Sequence, residues 1–269
     1  MSMILKFKKY QGTGNDFIIA DNRDGSLATL SETTIQLLCD RHLGIGADGL
    51  MLLQEKEGYD FEMKYFNADG KEGSMCGNGG RCITLFAQES GIQKKHFHFL
   101  AIDGPHEAHI RSANIVALRM NDVNSIQEQR GDFILNTGSP HFIRLVQDIE
   151  QLNVVKEGRA IRFSKEFEAD GINVNFIETK KGQDIIQIRT YERGVENETL
   201  SCGTGATAAA LVCFHNENGL NNVTVKTRGG KLLIEYIKMG KHQFNNIWLS
   251  GPAHFVFEGF IDLSTLNHE

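Results

Sequence analysis

The stretch "SMCGNGGRCITLF", residues 74–86, sets a thiol directly ahead of a glycine-rich turn and an apolar run with helical character. A cysteine buried only for packing needs no glycines beside it. The stretch has a counterpart: "LSCGTGATAAALV", residues 200–212, repeats the frame Cys-Gly-x-Gly followed by a helix, nearly half a chain further on. A second pair of blocks, "GTGNDFII" (12–19) and "TGSPHFIR" (137–144), stands near the start of each half. Two matched pairs in one order mark an internal duplication. The sequence therefore predicts two similar α/β halves joined near residue 120, and clefts between such halves commonly hold ligands.

Element signals agree with that division. In the first half, "ILKFKKY" (4–10), "FIIAD" (17–21), "LMLLQ" (50–54) and "FEMKYFN" (61–67) read as strands, and "SETTIQLLCDRH" (31–42) as a helix capped by Ser31. A helix follows Cys76 to about Gly91, and strands follow at "FHFLAI", "EAHIRSA" and "IVALRM". In the second half, "FILNTGSPHFIRLV" (133–146) reads as two strands around a turn, then "GINVNFIET" and "DIIQIRTYE" as strands. The helix after Cys202 is rich in alanine, and the strands "NVTVKT", "KLLIEY", "NIWLSG" and "AHFVFEGFI" close the chain.

Composition excludes several functions. Net charge is −6, which argues against a nucleic-acid partner. No apolar run reaches the roughly 18 residues of a membrane span, and the amino terminus lacks the pattern of a signal peptide. The five cysteines, Cys39, Cys76, Cys82, Cys202 and Cys213, are odd in number and form no C-x-x-C pair, so a reducing, cytoplasmic setting is expected. No spacing of Cys and His suggests a metal. "GIGADG" (44–49) fits the dinucleotide pattern G-x-G-x-x-G, but it follows a helix and enters a strand, the reverse of what that motif needs.

The two cysteine turns carry the chemistry. A helix amino end presents unpaired N–H groups and positive potential, which favour a thiolate and seat an anion such as a carboxylate. One such turn suggests a nucleophile. Two, from matched halves, suit inversion of a carbon: one thiolate removes a proton, and the opposite thiol returns one to the other face. Charge growing on the adjacent carboxylate is met by both helix ends. Such a reaction requires no cofactor. Cys39, Cys82 and Cys213 read as small buried hydrophobes, and Asp16 and Asp69 as turn formers.

At these residues the sequence resembles the diaminopimelate epimerase family. The resemblance rests on "GTGNDFIIAD", "RHLGIGADGL" (41–50), "YFNADGKEGSMCGNGGRC" (65–82), "TGSPHF" (137–142), "YERGVENETLSCGTGATA" (191–208) and "GPAHFVFEGFI", and so spans nearly the whole chain. It implies two pseudo-symmetric domains, each a mixed sheet wrapped around a central helix, with the active site in the cleft between them. The final strand would join the first domain, giving residues 1–119 plus 252–269 and residues 120–251. The implied activity is cofactor-independent interconversion of LL- and meso-2,6-diaminopimelate, on the route to lysine and peptidoglycan, by a homodimer.

Carried over by motif, Cys76 and Cys202 would be the proton-transfer pair. Gly77, Asn78, Gly203 and Thr204 would offer N–H groups to the reacting carboxylate. Asn15, Asn67 and Asn173 would hold substrate by their amides, while Glu192 and Arg193 would grip its distal amino-acid end. His141 would tune a catalytic thiol, with Glu192 sharing that duty. Gly49 and Ser139 depart from the glutamine and asparagine that many members carry there. Two other readings use the same scaffold: a racemase or epimerase of a proline-like amino acid, and a non-catalytic ligand-binding protein. A proline ring has no distal amino-acid end for Glu192 and Arg193 to grip, and a binding protein does not need both thiols.

Overall fold

The computed structural model describes residues 3–73, 75–179, 185–213 and 218–266. The chain forms two compact units, Met1–Leu118 with Pro252–Glu269, and Arg119–Gly251. Both units follow one pairing scheme. In the first, the strands Ile4–Gly12 and Asn15–Asp21 form an antiparallel hairpin, and Gly49–Gln54 adds parallel to the second of them. Phe61–Asn67 then pairs antiparallel, His96–Ala101 parallel, and Gly104–Ser112 and Ile115–Arg119 antiparallel in turn. His254–Asp262 returns late in the chain to pair with Ile4–Gly12.

The second unit repeats that order. Asp132–Asn136 and Pro140–Leu145 form the hairpin, Asn173–Thr179 adds parallel, and Ile185–Glu192 antiparallel. Gly219–Thr227 follows parallel, then Gly230–Gly240 and Gln243–Pro252 antiparallel. Each parallel step needs a crossover, and each first crossover holds a helix: α1 (Glu32–Cys39) and, in the second unit, a helix at Val154–Arg162. Each second crossover holds the helix that follows a cysteine turn. These are α2 (Gly77–Glu89) in the first unit and the helix Gly203–Cys213 in the second. Numbering in chain order makes Val154–Arg162 α3 and Gly203–Cys213 α4.

The central helices are buried nearly throughout. In α2 every residue from Gly77 to Ala87 is buried, and in α4 so are Gly203 and Gly205 to Val212. Helices buried on all sides lie inside a unit, and α2 carries Asn78, Arg81 and Thr84 into that interior. By contrast α1 turns Ile35, Leu38 and Cys39 inward. They meet Leu5, Phe7, Ile18 and Leu52, with Leu266 from the end of the chain closing the cluster.

Two expectations are corrected here. The helix predicted over 31–42 stops at Cys39, although Ser31 does cap it, accepting from the Thr34 N–H at 3.1 Å. The Asp40 carboxylate takes the N–H groups of His42 and Leu43, both at 2.7 Å, and this local turn replaces further helix. Asp16 is not a turn former. It lies within the strand Asn15–Asp21 and pairs with Lys9 at 2.8 Å and Arg41 at 2.7 Å. Burial alone would raise its carboxyl, yet those two cations hold it below the usual carboxylate range. Asp69 does form a turn, accepting from the Lys71 N–H at 3.0 Å. Among the described residues, no helix is long and apolar enough to cross a membrane.

Candidate active site

In the first unit, Cys76 is the N-cap of α2, with extended backbone (φ −92°, ψ 130°). Its carbonyl accepts the first helical bond, from Gly80 N–H at 2.7 Å, and its side chain makes no capping bond. Asn78, 2 % exposed, is held from two directions. Its Oδ1 accepts from Thr13 Oγ1 at 3.0 Å and from Arg81 Nη2 at 2.8 Å, and its Nδ2 donates to Asn15 Oδ1. Asn15 in turn donates from Nδ2 to Asp48 Oδ2 at 3.0 Å. The hairpin turn "TG" and the cysteine turn are thus one bonded assembly. Gly12 permits the approach: a Cβ there would lie 3.0 Å from the Asn78 carbonyl oxygen and 3.2 Å from Cys82 Sγ. Thr13 holds a left-handed backbone (φ 49°), unusual for a β-branched residue, and its buried hydroxyl is bonded on both sides.

The second unit builds the same assembly with different groups. Cys202 precedes α4, is 8 % exposed, and its carbonyl accepts from Ala206 N–H at 2.9 Å. Its Sγ lies 3.4 Å from Thr204 Oγ1. Thr137, in the hairpin turn, donates from Oγ1 to the Thr204 carbonyl at 2.8 Å, as Thr13 donates to Asn78. In each unit the threonine of the hairpin turn grips the residue two places beyond the cysteine.

His141 is fully buried on the strand Pro140–Leu145. Asn175 fixes its tautomer. The Asn175 amide nitrogen donates to the Phe142 carbonyl at 3.0 Å, and its Oδ1 accepts from Thr190 Oγ1 at 2.9 Å, so the amide has one orientation. Its nitrogen faces His141 Nδ1 at 3.1 Å, so Nδ1 accepts and the ring proton sits on Nε2. Nε2 is buried without a hydrogen-bond partner among the described residues. Burial, and then the charge of Arg193, push the imidazole pKa down to about 3, so His141 is neutral. Asn175 also borders the cysteine turn: a Cβ on Gly205 would lie 2.4 Å from Asn175 Oδ1 and 3.4 Å from Cys202 Cβ.

The remaining sequence-derived residues fall at strand ends. Asn67 closes its strand opposite Gly49 and is exposed. Asn173 donates to Ser139 Oγ at 2.9 Å and accepts from the Arg193 N–H at 2.9 Å. Val174 pairs with Tyr191, so Glu192 ends its strand beside Asn173 as Asn67 does beside Gly49. Arg193 is exposed and donates to the Asp170 carbonyl at 2.8 Å. At Gly49, Tyr65 fills the space a side chain would need, its ring 2.5 Å from a Cβ built there. Gly77 and Gly203 open their helices and are buried. Burial pushes the Cys39, Cys82 and Cys213 thiols up to about 12, which leaves them neutral packing groups.

Thr13, Thr137, Asn175 and Arg81 join these assemblies without having been singled out from sequence. The first two were signalled by the repeated Thr-Gly turn. Arg81 was signalled by a full charge inside a helix otherwise poor in charge.

A duplicated mixed α/β unit with a cysteine at each central helix amino end defines the class: the epimerase-type isomerase scaffold. A phenazine biosynthesis protein of the PhzF family from Bacillus anthracis shares the fold with TM-score 0.75 at 15% identity, over 96% of this chain and 99% of that one. A hydroxyproline epimerase from Agrobacterium vitis does so with TM-score 0.70 at 14% identity, over 97% and 93%. The family model for diaminopimelate epimerase matches residues 7–126 and 133–256. Diaminopimelate epimerases of Flavobacterium psychrophilum and Chlorobaculum tepidum are 46% and 44% identical, each over 94% of this chain and 99% of its own length. That of Aquifex aeolicus is 39% identical over 98% of this chain and all of its own length. The chain belongs to the diaminopimelate epimerase family and is an amino-acid epimerase.

Proposed function

We propose that the chain interconverts LL- and meso-2,6-diaminopimelate by a two-base mechanism in which Cys76 and Cys202 exchange protons with opposite faces of one α-carbon. The observation that carries this reading is the repeated assembly: in each unit a cysteine stands at a central helix amino end, its turn clamped by the threonine of a hairpin. One thiolate takes the α-proton and becomes a thiol, while the other thiol gives its proton to the opposite face and becomes a thiolate. The N–H groups of Gly77, Asn78, Gly203 and Thr204 receive the carboxylate as its charge grows. Asn15, Asn67 and Asn173 orient the substrate, and Glu192 and Arg193 hold the distal ammonium and carboxylate. Neutral His141 tunes a catalytic thiol, and Glu192 shares that duty. The reaction serves lysine and peptidoglycan precursor synthesis in the cytoplasm, and the acting form is a homodimer.

The test is incubation of the full chain with LL-diaminopimelate in deuterium oxide, following α-proton exchange and meso isomer. Cys76→Ala and Cys202→Ala should each lower inversion by at least about a thousandfold, within the range general acid–base groups supply. Cys82→Ala should retain it. Normal turnover by either single-thiol variant would end the two-base reading.

A further inference from the structure

Arg81 is fully buried in the middle of α2. Its guanidinium donates to the Gly77 carbonyl at 3.2 Å, Thr13 Oγ1 at 3.0 Å, Asn78 Oδ1 at 2.8 Å and the Pro252 carbonyl at 3.3 Å. All four acceptors are neutral, and Arg81 has no carboxylate partner among the described residues. A buried charge left without a counter-charge is costly. An anion next to it would offset that cost. The guanidinium sits against Gly77 and Asn78, at the start of the helix that Cys76 caps, and it interacts electrostatically with the Cys82 thiol and, after it, with the Cys76 thiol.

The second unit shows what the same place looks like without the charge. Five residues beyond Cys202 stands Thr207, also fully buried. Thr207 Oγ1 donates to the Gly203 carbonyl at 3.1 Å, as Arg81 Nη1 donates to the Gly77 carbonyl. The two central helices therefore have the same first carbonyl capped from the same position, once by a cation and once by a neutral hydroxyl. Both thiols stand at helix amino ends, and only the helix after Cys76 carries a cation in its second turn.

Resting on the two-thiol reading, we infer that Arg81 is the positioning residue that makes the thiols unequal: it holds Cys76 as thiolate in the resting enzyme, so Cys76 acts first as base and Cys202 as acid. The protons balance. Cys76 gains the substrate's proton, Cys202 loses its own, and exchange with water restores the resting pair. Other charges near Cys76 do not cancel this. Asp103 accepts from the Met75 N–H at 3.3 Å, but it is 40% exposed and pairs with His106, which lies on the side of its strand that carries buried Ala108. Cys82 is neutral. Lys8 and Tyr10 both donate to Glu89 at the far end of α2. Asp16 and Asp48 are engaged by Lys9 and Arg41.

The test measures each thiol separately. The substrate-free full chain is alkylated with iodoacetamide from pH 5.5 to 9.5, and the Cys76 and Cys202 peptides are quantified. The expected result is a midpoint for Cys76 at least about one unit below that of Cys202, a tenfold difference in thiolate ratio. Arg81→Thr, which installs the residue of the other unit, should raise the Cys76 midpoint by about a unit and leave Cys202 unmoved. Arg81→Lys, which keeps the charge, should restore most of the difference. Equal midpoints in the unaltered protein, or a lower one at Cys202, would overturn the inference even if the variants did not fold. So would a folded Arg81→Thr chain with Cys76 unmoved. Labelling needs no substrate, so these outcomes are independent of the deuterium-exchange result on which the two-base reading stands or falls.

Discussion

His141 lies on a strand with no access to water, and its neutrality carries a consequence for stability. Its folded pKa is about 3, whereas an unfolded histidine titrates near 6.5. Between these values the unfolded chain binds a proton that the folded chain refuses. Stability from this group is therefore complete above about pH 6.5 and lost as pH falls toward 3, at up to about 1.4 kcal/mol per pH unit. Urea unfolding at pH 7, 6 and 5 should show that slope, and His141→Gln should flatten it between pH 6.5 and 5, where few carboxylates titrate. Parallel slopes in the two proteins would refute the argument. The residue is a case where sequence singled out a side chain without fixing its surroundings. The block "SPHF" pointed to His141, but only the fixed amide of Asn175 says which ring nitrogen carries the proton.

At the scale of elements, α3 is the informative case. Its sequence, "VVKEGRAIR", mixes four charged residues with a central glycine, and no helix is predicted there, although Val154, Gly158 and Ile161 recur at helical spacing. It forms because Asn153 caps it, accepting from Lys156 N–H at 3.0 Å, and because Val154 and Gly158 pack inward. Gly158 is at the closest contact: a Cβ there would sit 2.4 Å from Tyr191 Cβ, an atom fixed to the neighbouring strand. Helix propensity alone favours Gly158→Ala by about 1 kcal/mol. Packing reverses the sign, and the variant should lose about 1–3 kcal/mol from the forced shift of helix on sheet. Thermal unfolding decides it, since a raised midpoint would mean that α3 can slide away from Tyr191 at no cost. The elements that were legible, such as Phe61–Asn67 and the helix after each cysteine turn, are those whose periodicity is set by burial on one or all sides. Short strands such as Gln127–Gln129 and Asn197–Thr199 owe their existence to a neighbour and leave no pattern of their own.

For the whole chain, the duplication visible as two cysteine turns extends to the order of strand pairings and to the paired threonine clamps, which no single block of sequence reveals. What the repeat does not supply is the end of the first unit, because Pro252–Glu269 returns to it after the second unit is complete. The returning strand pairs with the first strand from Ile4 to Gln11, sets Phe257 against Phe7 at 5.9 Å, and carries Ile261, Leu263 and Leu266 to the α1 core. It also brings the Pro252 carbonyl to Arg81. A chain ending at Gly251 would leave the Ile4–Gly12 strand unpaired on one side, uncover Leu5 and Phe7, and take from the buried guanidinium one of its four acceptors. An unpaired strand edge beside exposed apolar residues favours aggregation. Such a chain should be recovered mainly as aggregate, and any soluble fraction should have Arg119–Gly251 protected from hydrogen exchange while Asn15–Asp21 and α2 exchange rapidly. A soluble product whose first-unit amides stayed as protected as those of the full chain would mean that the first unit is complete without its last strand, and that its core is set by the local hairpin and α2 alone.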